Sequence, residues 1–486
     1  MGSIDDQEIL NAARAKFTIH LHNTTKADNV HAYITGTDIQ RNARFFLRAD
    51  GTTPYYPANP PSDGAPLEQD CAIKLGEAGS STPATIPHLS SARIYFAIGK
   101  LHFALNHNDS GTNPDLVEPS STDATNRNVK WGFAEFTWNA ERMYANISFV
   151  DFVGLPIALA LKSRSGSTSH VSGLAAGGLA TVCKKLESVG GDWAKLVITS
   201  GGEYVRALSP VQGAVLHPQL LAGYYDGYVS SVWQKYQDAT LLVRTGASTT
   251  LRGHVENGVL TVGGESFAKP STAAVFDNAS GPFDTNGASQ QRKNIIPPLC
   301  ADFNRSTLLE NRETPDPDGR KDYYRNAVTN HYAKIVHATT ADGKGYAFPY
   351  DDVTPVGGKD QSGLVQSTDP QTLTVTVELL VVMIAGSETT ATLLSGLTFY
   401  LLRNPATMRK VAEEVGAVGE EDGLSLERSP RLPYLNACVE EGLRMYPPVP
   451  IGLLREVSEG GNAVCGEWVL ERRGVHFPED IYLDSS

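Results

Sequence analysis

From Phe17 the chain breaks into short runs of β-branched and aromatic residues: FTIHLHN, HAYITGT, RFFLRAD, RIYFAIG and LHFALN. Clusters of Asn, Asp, Gly and Pro separate them. Runs this short, cut by residues that favour turns, predict the strands of a β-sandwich or barrel. Residues 51–70 and 107–128 read as polar, Pro/Ser/Asn-rich loops. Residues 1–16 read as a short helical or frayed leader. With 41% hydrophobic residues the chain has enough apolar material for a sizeable core.

The texture changes near Ser169. SHVSGLAAGGLATVCKKLESVG and HPQLLAGYYDGYVSSVWQKYQDA carry apolar residues at helical spacing. AKLVITS, TLLVRTG, TLRGHV and GVLTVGG read as strands between and after them. ADFNRSTLLENRE and DYYRNAVTNHYAKIVHATT read as further helices. A closing strand follows at Leu373–Val377, and Glu378 opens a strongly helical stretch without any linker. The expected organisation is a leader at 1–16, a β region at 17–168, a mixed α/β region at 169–377 and a helix-rich piece at 378–486.

Composition narrows the partners. A net charge of -13 argues against binding a phosphate backbone, which needs clustered Lys and Arg, and so against nucleic acid. It suits a neutral ligand such as a glycan. The five cysteines, Cys71, Cys183, Cys300, Cys438 and Cys465, form no CxxC pair and no Cys/His cluster, so no metal site is expected. Cys71 with Cys183 or Cys300 as a disulfide, and buried thiols, both remain open. The N-terminus, MGSIDDQEIL, has neither the basic nor the apolar segment of a signal peptide. The apolar run Leu379–Ala385 is too short to span a bilayer. Sequons at Asn23, Asn108, Asn146, Asn278 and Asn304 are weak signs of export in a chain rich in Ser and Thr.

The most informative segment is KWGFAEFTWNAERMYANISFVDFVGLP. WGFAEFTW and MYANISFV read as two strands around the turn NAER. Glu135 lies within the first, and Asp151 lies just past the second in an apolar run. A carboxylate there is costly unless it is paired, hydrogen-bonded or protonated. Glycoside hydrolysis needs two carboxyl groups, one to protonate the leaving oxygen and one to act on water or the anomeric carbon. The plain alternative is a surface Glu and an Asp that caps a turn. A regular hairpin would hold the two about 13 Å apart along the strand, beyond the ~6.5–9.5 Å of an inverting pair. A bulge or sharp bend between Ser148 and Asp151 is therefore required.

AEFTWN…YANISFVDFVGLP resembles the signature of glycoside hydrolase family 64, the thaumatin-like β-1,3-glucanases. The resemblance continues through YYDGYVSSVWQKY, LCADFNRSTLL, NHYAKIVHATTADGKGYAFPYDDVTPVGGKDQSG and LTVTV, from about Ala15 to Val377. It implies a mainly β fold with mixed α/β parts: a thaumatin-like barrel or sandwich beside an α/β domain, with a wide groove between them. It implies an inverting, endo-acting hydrolase of β-1,3-glucan. Carried over by motif, Glu135 is the general acid and Asp151 the general base. Thr137, Asn139, Tyr144 and Asn146 are the expected sugar contacts. Asp351 and Asp352 either line the groove or hold a loop. No cofactor is implied. The family habit is extracellular, which the N-terminus does not match.

Residues 378–486 resemble another family, the cytochrome P-450 haem-thiolate monooxygenases. AGSETT, with Glu388 and Thr389, is similar to the oxygen-activating helix, and LPYLNACVEEGLRMYPPVP to the E-x-x-R helix, with Glu441 and Arg444 as its ion pair. The family's F-x-x-G-x-R-x-C-x-G haem loop does not occur in these residues, and Cys465 lies in NAVCGEWV without the matching Phe or Arg. Without that thiolate no haem is expected. Three readings follow: a β-1,3-glucan hydrolase with an inert C-terminal passenger, a thaumatin-like glucan-binding protein without turnover, and a haem monooxygenase.

Overall fold

A computed structural model describes residues 16–377, apart from 26, 112, 176, 247, 318–320 and 356–361, then 393–416 and 432–445. Beyond these it gives only the short strands Arg455–Glu456, Asn462–Val464, Glu467–Val469 and Gly474–Val475. The expected leader falls almost wholly outside the described residues, as do Glu388, Thr389 and Cys465. The chain divides into two units, Met1–Leu380 and Val381–Ser486.

The predicted strands form, and their alternation sets two sheets. Phe17–Asn23 alternates fully buried and half-buried positions along its length. It lies in a five-stranded sheet between Ser81–Ile86 and the closing strand Pro370–Val377. The pairing with Pro370–Val377 is parallel, from Ile19↔Leu373 to Asn23↔Val377. The Thr24 hydroxyl adds a bond of 2.9 Å to the Val377 carbonyl. The first and last strands of the unit thus hold one another, which closes it as a structure. The second sheet has eight strands, with Leu364–Ser367, Met143–Ile147, Lys130–Trp138, Leu89–Ile98 and Val30–Asp38 as consecutive neighbours. Phe17 of the first sheet meets Trp138 of the second, ring centres 5.1 Å apart. Apolar residues of both fill one core, so the sandwich expectation holds.

The α/β region contains a five-stranded sheet centred on Thr250–Glu256, with helices Asp226–Asp238 and Gln290–Arg305 nearby. Helix boundaries here differ from the sequence reading, for local reasons. Thr168–Val171 is a strand paired with Ile157–Ser163, and the helix starts only at Gly178. Gly173 and Gly177 have φ of 66° and 69°, which no helix accepts. Helix Gln290–Arg305 starts where the Ser289 side chain accepts from the Arg292 N–H, and stops at Ser306, φ 57°. STLLENRE is therefore not helix: it is mostly turn and ends in the short strand Glu313–Thr314. DYYRNAVTNHYAKIVHATT is helical only at His331–His337, capped by Asn330, whose side chain accepts from the Ala333 N–H at 3.0 Å.

Tyr323 and His337 of that stretch join a buried ionic knot. The fully buried Arg305 guanidinium donates to the Asp351 carboxylate at 3.1 Å and to the carbonyls of Asp351 and Val353 at 2.8 and 2.6 Å. It stacks on Tyr323, 4.4 Å from the ring centre. Asp351 also receives the Ala347 N–H at 2.9 Å and pairs with His337 Nε2 at 2.8 Å. Asp351 is fully buried and holds a loop. It lines no groove, whereas Asp352 is exposed. Cys71, Cys183 and Cys300 are three separate buried thiols, so neither disulfide alternative forms. Burial pushes the Cys71 and Cys183 thiols up to about 12, which leaves them inert.

In the second unit, residues 393–403 are helical, followed by helices Pro405–Gly416 and Pro433–Met445. Among the described residues no helix is long and apolar enough to cross a membrane.

Candidate active site

Glu135 lies on the strand Lys130–Trp138, where positions from Ala134 onward alternate between the core and a half-open face. Ala134, Phe136 and Trp138 are buried, while Glu135 and Thr137 are half-exposed. The neighbouring strand does the same: Met143, Ala145 and Ile147 are buried, Tyr144 and Asn146 half-exposed. The register pairs Glu135 with Asn146 and Thr137 with Tyr144. These four residues therefore form one patch on one face of the sheet. Asn146 Nδ2 reaches Glu135 Oε2 at 3.4 Å. Asn139 is not in this patch. It sits in the hairpin turn, where its side-chain oxygen accepts the N–H groups of Glu141 and Arg142, each at 3.0 Å.

On the other side of Glu135 stands a residue that the sequence reading did not single out. Arg93, on Leu89–Ile98, is directly opposite Glu135. Its Nε and Nη2 donate to Glu135 Oε1 at 3.1 and 3.0 Å. Its Nη1 contacts the Glu118 carboxylate. The guanidinium lies 4.7 Å from the Phe133 ring centre. Burial opposes the charge on Arg93, but Tyr95, Glu118 and Glu135 together outweigh it and hold it a cation. RIYFAIG marks Arg93 as a strand residue, but only the strand register reveals its partner.

Between Ile147 and Phe152 the chain bends, and Asp151 lies in that bend. The strand ends at Ile147, and Ser148 pairs with Tyr346 from a distant segment. The Phe149 N–H donates to the Tyr346 carbonyl at 2.6 Å, and the Tyr332 hydroxyl donates to the Phe149 carbonyl, also at 2.6 Å. Burial first, and then Asp151, keep Tyr332 a neutral phenol. After Asp151 the chain pairs Phe152–Val153 with Glu203–Leu208. Phe152 packs on Trp131 and Phe133, ring centres 4.5 and 5.9 Å apart. Trp131, Phe133 and Glu135 alternate along one strand, so the residue after Asp151 covers the face that carries Glu135. Buried Arg206 sits 5.0 Å above the Phe152 ring and donates to the Asn126 carbonyl at 3.1 Å. Asp151 itself is half-buried. Its side chain accepts from Gln212 Nε2 at 3.2 Å, and its carbonyl accepts the Ser209 N–H at 2.9 Å. Gln212 too escaped the sequence reading, since it lies in an unremarkable helix, Pro210–Leu216.

This return path needs two glycines. A Cβ at Gly154 would lie 2.0 Å from the Trp131 carbonyl oxygen, and one at Gly132 would lie 2.6 Å from that of Leu155. The backbones cross where the Leu155 N–H meets the Trp131 carbonyl at 3.1 Å. Gly154→Ala is expected to destabilise the unit by about 1–3 kcal/mol, the usual range for overpacking, and to lower turnover by moving Asp151. Urea unfolding and an activity assay check both.

Comparison with known proteins agrees with this architecture. A family model described as Beta-1,3-glucanase, glycoside hydrolase family 64, matches residues 15–377. A glucan endo-1,3-beta-glucosidase of Arthrobacter sp. (strain YCWD3) is 28% identical over 312 residues, 60% of this chain and 52% of that protein. The crystal structure of a laminaripentaose-producing beta-1,3-glucanase in complex with laminaritetraose superposes with a TM-score of 0.66 at 32% identity, over 75% of this chain and 99% of that one. A Cytochrome P450 model matches residues 318–467. Cytochrome P450 monooxygenase efuB of Hormonema carpetanum is 53% identical over 105 residues, 21% of this chain and 19% of that protein. The chain thus spans about half the length of the curated glucanase and about a fifth of the monooxygenase. The two family matches overlap at 318–377, where Leu364–Ser367 and Pro370–Val377 pair with strands of the first unit. That overlap is structurally part of the first unit, and the second carries a cytochrome P-450 fragment. By the model that spans residues 15–377, the chain belongs to glycoside hydrolase family 64, the β-1,3-glucanases.

Proposed function

We propose that the first unit is an inverting, endo-acting hydrolase of β-1,3-glucan with Glu135 as general acid and Asp151 as general base. The observation that carries this reading is the bend after Ile147, which brings the Asp151 segment back over the strand of Glu135. Thr137, Tyr144 and Asn146 share the face of Glu135 and offer hydroxyl and amide groups for sugar hydroxyls. Asn139 spends its side-chain oxygen on its own turn, so its sugar contact would come through its amide nitrogen.

In the proposed reaction Glu135 gives its proton to the glycosidic oxygen as the bond to the anomeric carbon breaks. Asp151 takes a proton from a water whose oxygen attacks that carbon from the opposite face. Each carboxyl group ends in the other protonation state, and exchange with solvent resets both. The relative crystallised with laminaritetraose supports a β-1,3-linked substrate. With the full chain, reducing sugar should be released from linear β-1,3-glucan and not from cellulose or starch. Equal release from all three, or binding of β-1,3-glucan without release, would contradict the reading.

For the second unit we propose no haem chemistry. The P-450 likeness implies a haem held by a thiolate, and the described residues do not fit one. Glu441 and Arg444 pair at 2.6 Å on an exposed helix face. Cys438 lies on that same helix rather than in a ligand loop, and burial, then Glu414, push its thiol up and disfavour the thiolate. Leu394, Phe399 and Leu402 are more than half exposed. Haem reconstitution that produced a thiolate-type Soret band would overturn this.

A further inference from the structure

We infer that Arg93, held between Glu135 and Glu118, is a positioning residue that divides the work of the two Glu135 oxygens; the inference rests on the reading of Glu135 as the proton donor. Both Arg93 contacts on Glu135, at 3.1 and 3.0 Å, fall on Oε1. Among the described residues Oε2 has only the Asn146 amide at 3.4 Å, a long and weak contact. Oε1 is thus the fixed oxygen, and Oε2 is the one left to carry a proton and face a sugar oxygen.

Glu118 makes this arrangement work through the reaction cycle. A guanidinium that depended on Glu135 alone would lose its counter-charge whenever Glu135 is protonated. Arg93 and Glu135 keep only 25% and 35% of their side-chain surface exposed, so that loss would be felt. Glu118 contacts the other end of the fork and keeps Arg93 neutralised in both states. Arg93 can then go on donating to Oε1, which is a carbonyl oxygen in the protonated acid and a carboxylate oxygen in the ionised one. The planar fork suits such a bridge between two carboxylates, and an ammonium group does not. Phe133 supports the guanidinium plane from below at 4.7 Å, and packs against Phe152 next to Asp151. The positioning group and the second carboxylate are therefore built on one aromatic stack. Glu118 itself comes from the loop after Asp115–Val117, so a loop of no regular structure acquires a defined role.

The test uses the full-length chain with linear β-1,3-glucan, and reads kcat, KM and thermal unfolding for Arg93→Met, Arg93→Lys, Glu118→Gln and Glu135→Gln. Arg93→Met should lower kcat about 10²-fold, the cost of a misplaced reacting group, with KM changed less than about threefold. Arg93→Lys should recover part of that loss, and Glu118→Gln should lower kcat in the same sense as Arg93→Met. In the Glu135→Gln background, Arg93→Met should cause no further loss, because the two act as a unit. If Arg93→Met and Glu118→Gln keep full kcat while Glu135→Gln is inactive, the positioning role is wrong and the reading of Glu135 stands. Losses that add in the double variant, or that track a fall in unfolding temperature, also overturn it, since a structural ion pair would behave so. An active Glu135→Gln overturns the reading of Glu135 itself.

Discussion

Glu135→Gln and Asp151→Asn are each expected to cut turnover of linear β-1,3-glucan by about 10²–10⁴-fold, the usual value of general acid–base help, and to leave glucan binding largely intact. Both substitutions keep shape and hydrogen-bonding capacity while removing the proton function. Glu135→Gln still presents an oxygen to Arg93 and stays opposite Asn146, so the patch with Thr137 and Tyr144 should persist. Asp151→Asn still offers an oxygen to Gln212. Turnover and binding should therefore separate. A variant that kept more than about a tenth of wild-type activity would remove its residue from the assigned role.

The largest expected effect on stability lies away from these carboxylates. Asp351→Ala should cost about 3–5 kcal/mol, the penalty of leaving a buried charge without its partner, against a total of roughly 5–15 kcal/mol for a typical protein. Arg305 is fully buried, and Asp351 supplies its carboxylate. The effect should depend on pH. Burial favours the neutral Asp351 carboxyl, but His337, Arg305 and the Ala347 N–H outweigh it, so the folded pKa lies below the ordinary value. A depressed carboxyl pKa stabilises above the unfolded value, about 3.9, and that contribution is lost as pH falls through the folded value. The gap between wild type and Asp351→Ala, measured by urea unfolding, should be full at pH 7 and shrink well below pH 4. A gap that grew on acidification would show that Asp351 is not the carboxylate that holds Arg305.

Local patterning carried much of this structure into the sequence. The alternation in FTIHLHN, RIYFAIG and WGFAEFTW is a property of neighbouring residues, and those strands form where the pattern places them. The bend before Asp151 was legible because a straight hairpin separates the two carboxylates too far. Its cause was not, since Tyr346 and Tyr332 come from distant segments. Arg93 and Glu118 were hidden for the same reason: a cross-strand pair exists only once the register is set. Helix ends failed where single backbone angles decide, at Gly173, Gly177 and Ser306. For Asp351 the sequence left groove lining and loop holding open, because FPYDDV gives no sign of Arg305, whose side chain arrives from the helix Gln290–Arg305.

The central claim is that two carboxyl groups act from opposite faces of the sugar, and the anomeric form of the first product tests it most directly. Linear β-1,3-glucan should be digested by the full chain inside an NMR tube and followed from the first minute, before mutarotation. Inversion at the β-linked carbon predicts that new reducing ends appear first as the α anomer and only later equilibrate. If the β anomer appeared first, the water-activating role of Asp151 would be contradicted, and a nucleophile about 5–5.5 Å from the acid would be required instead.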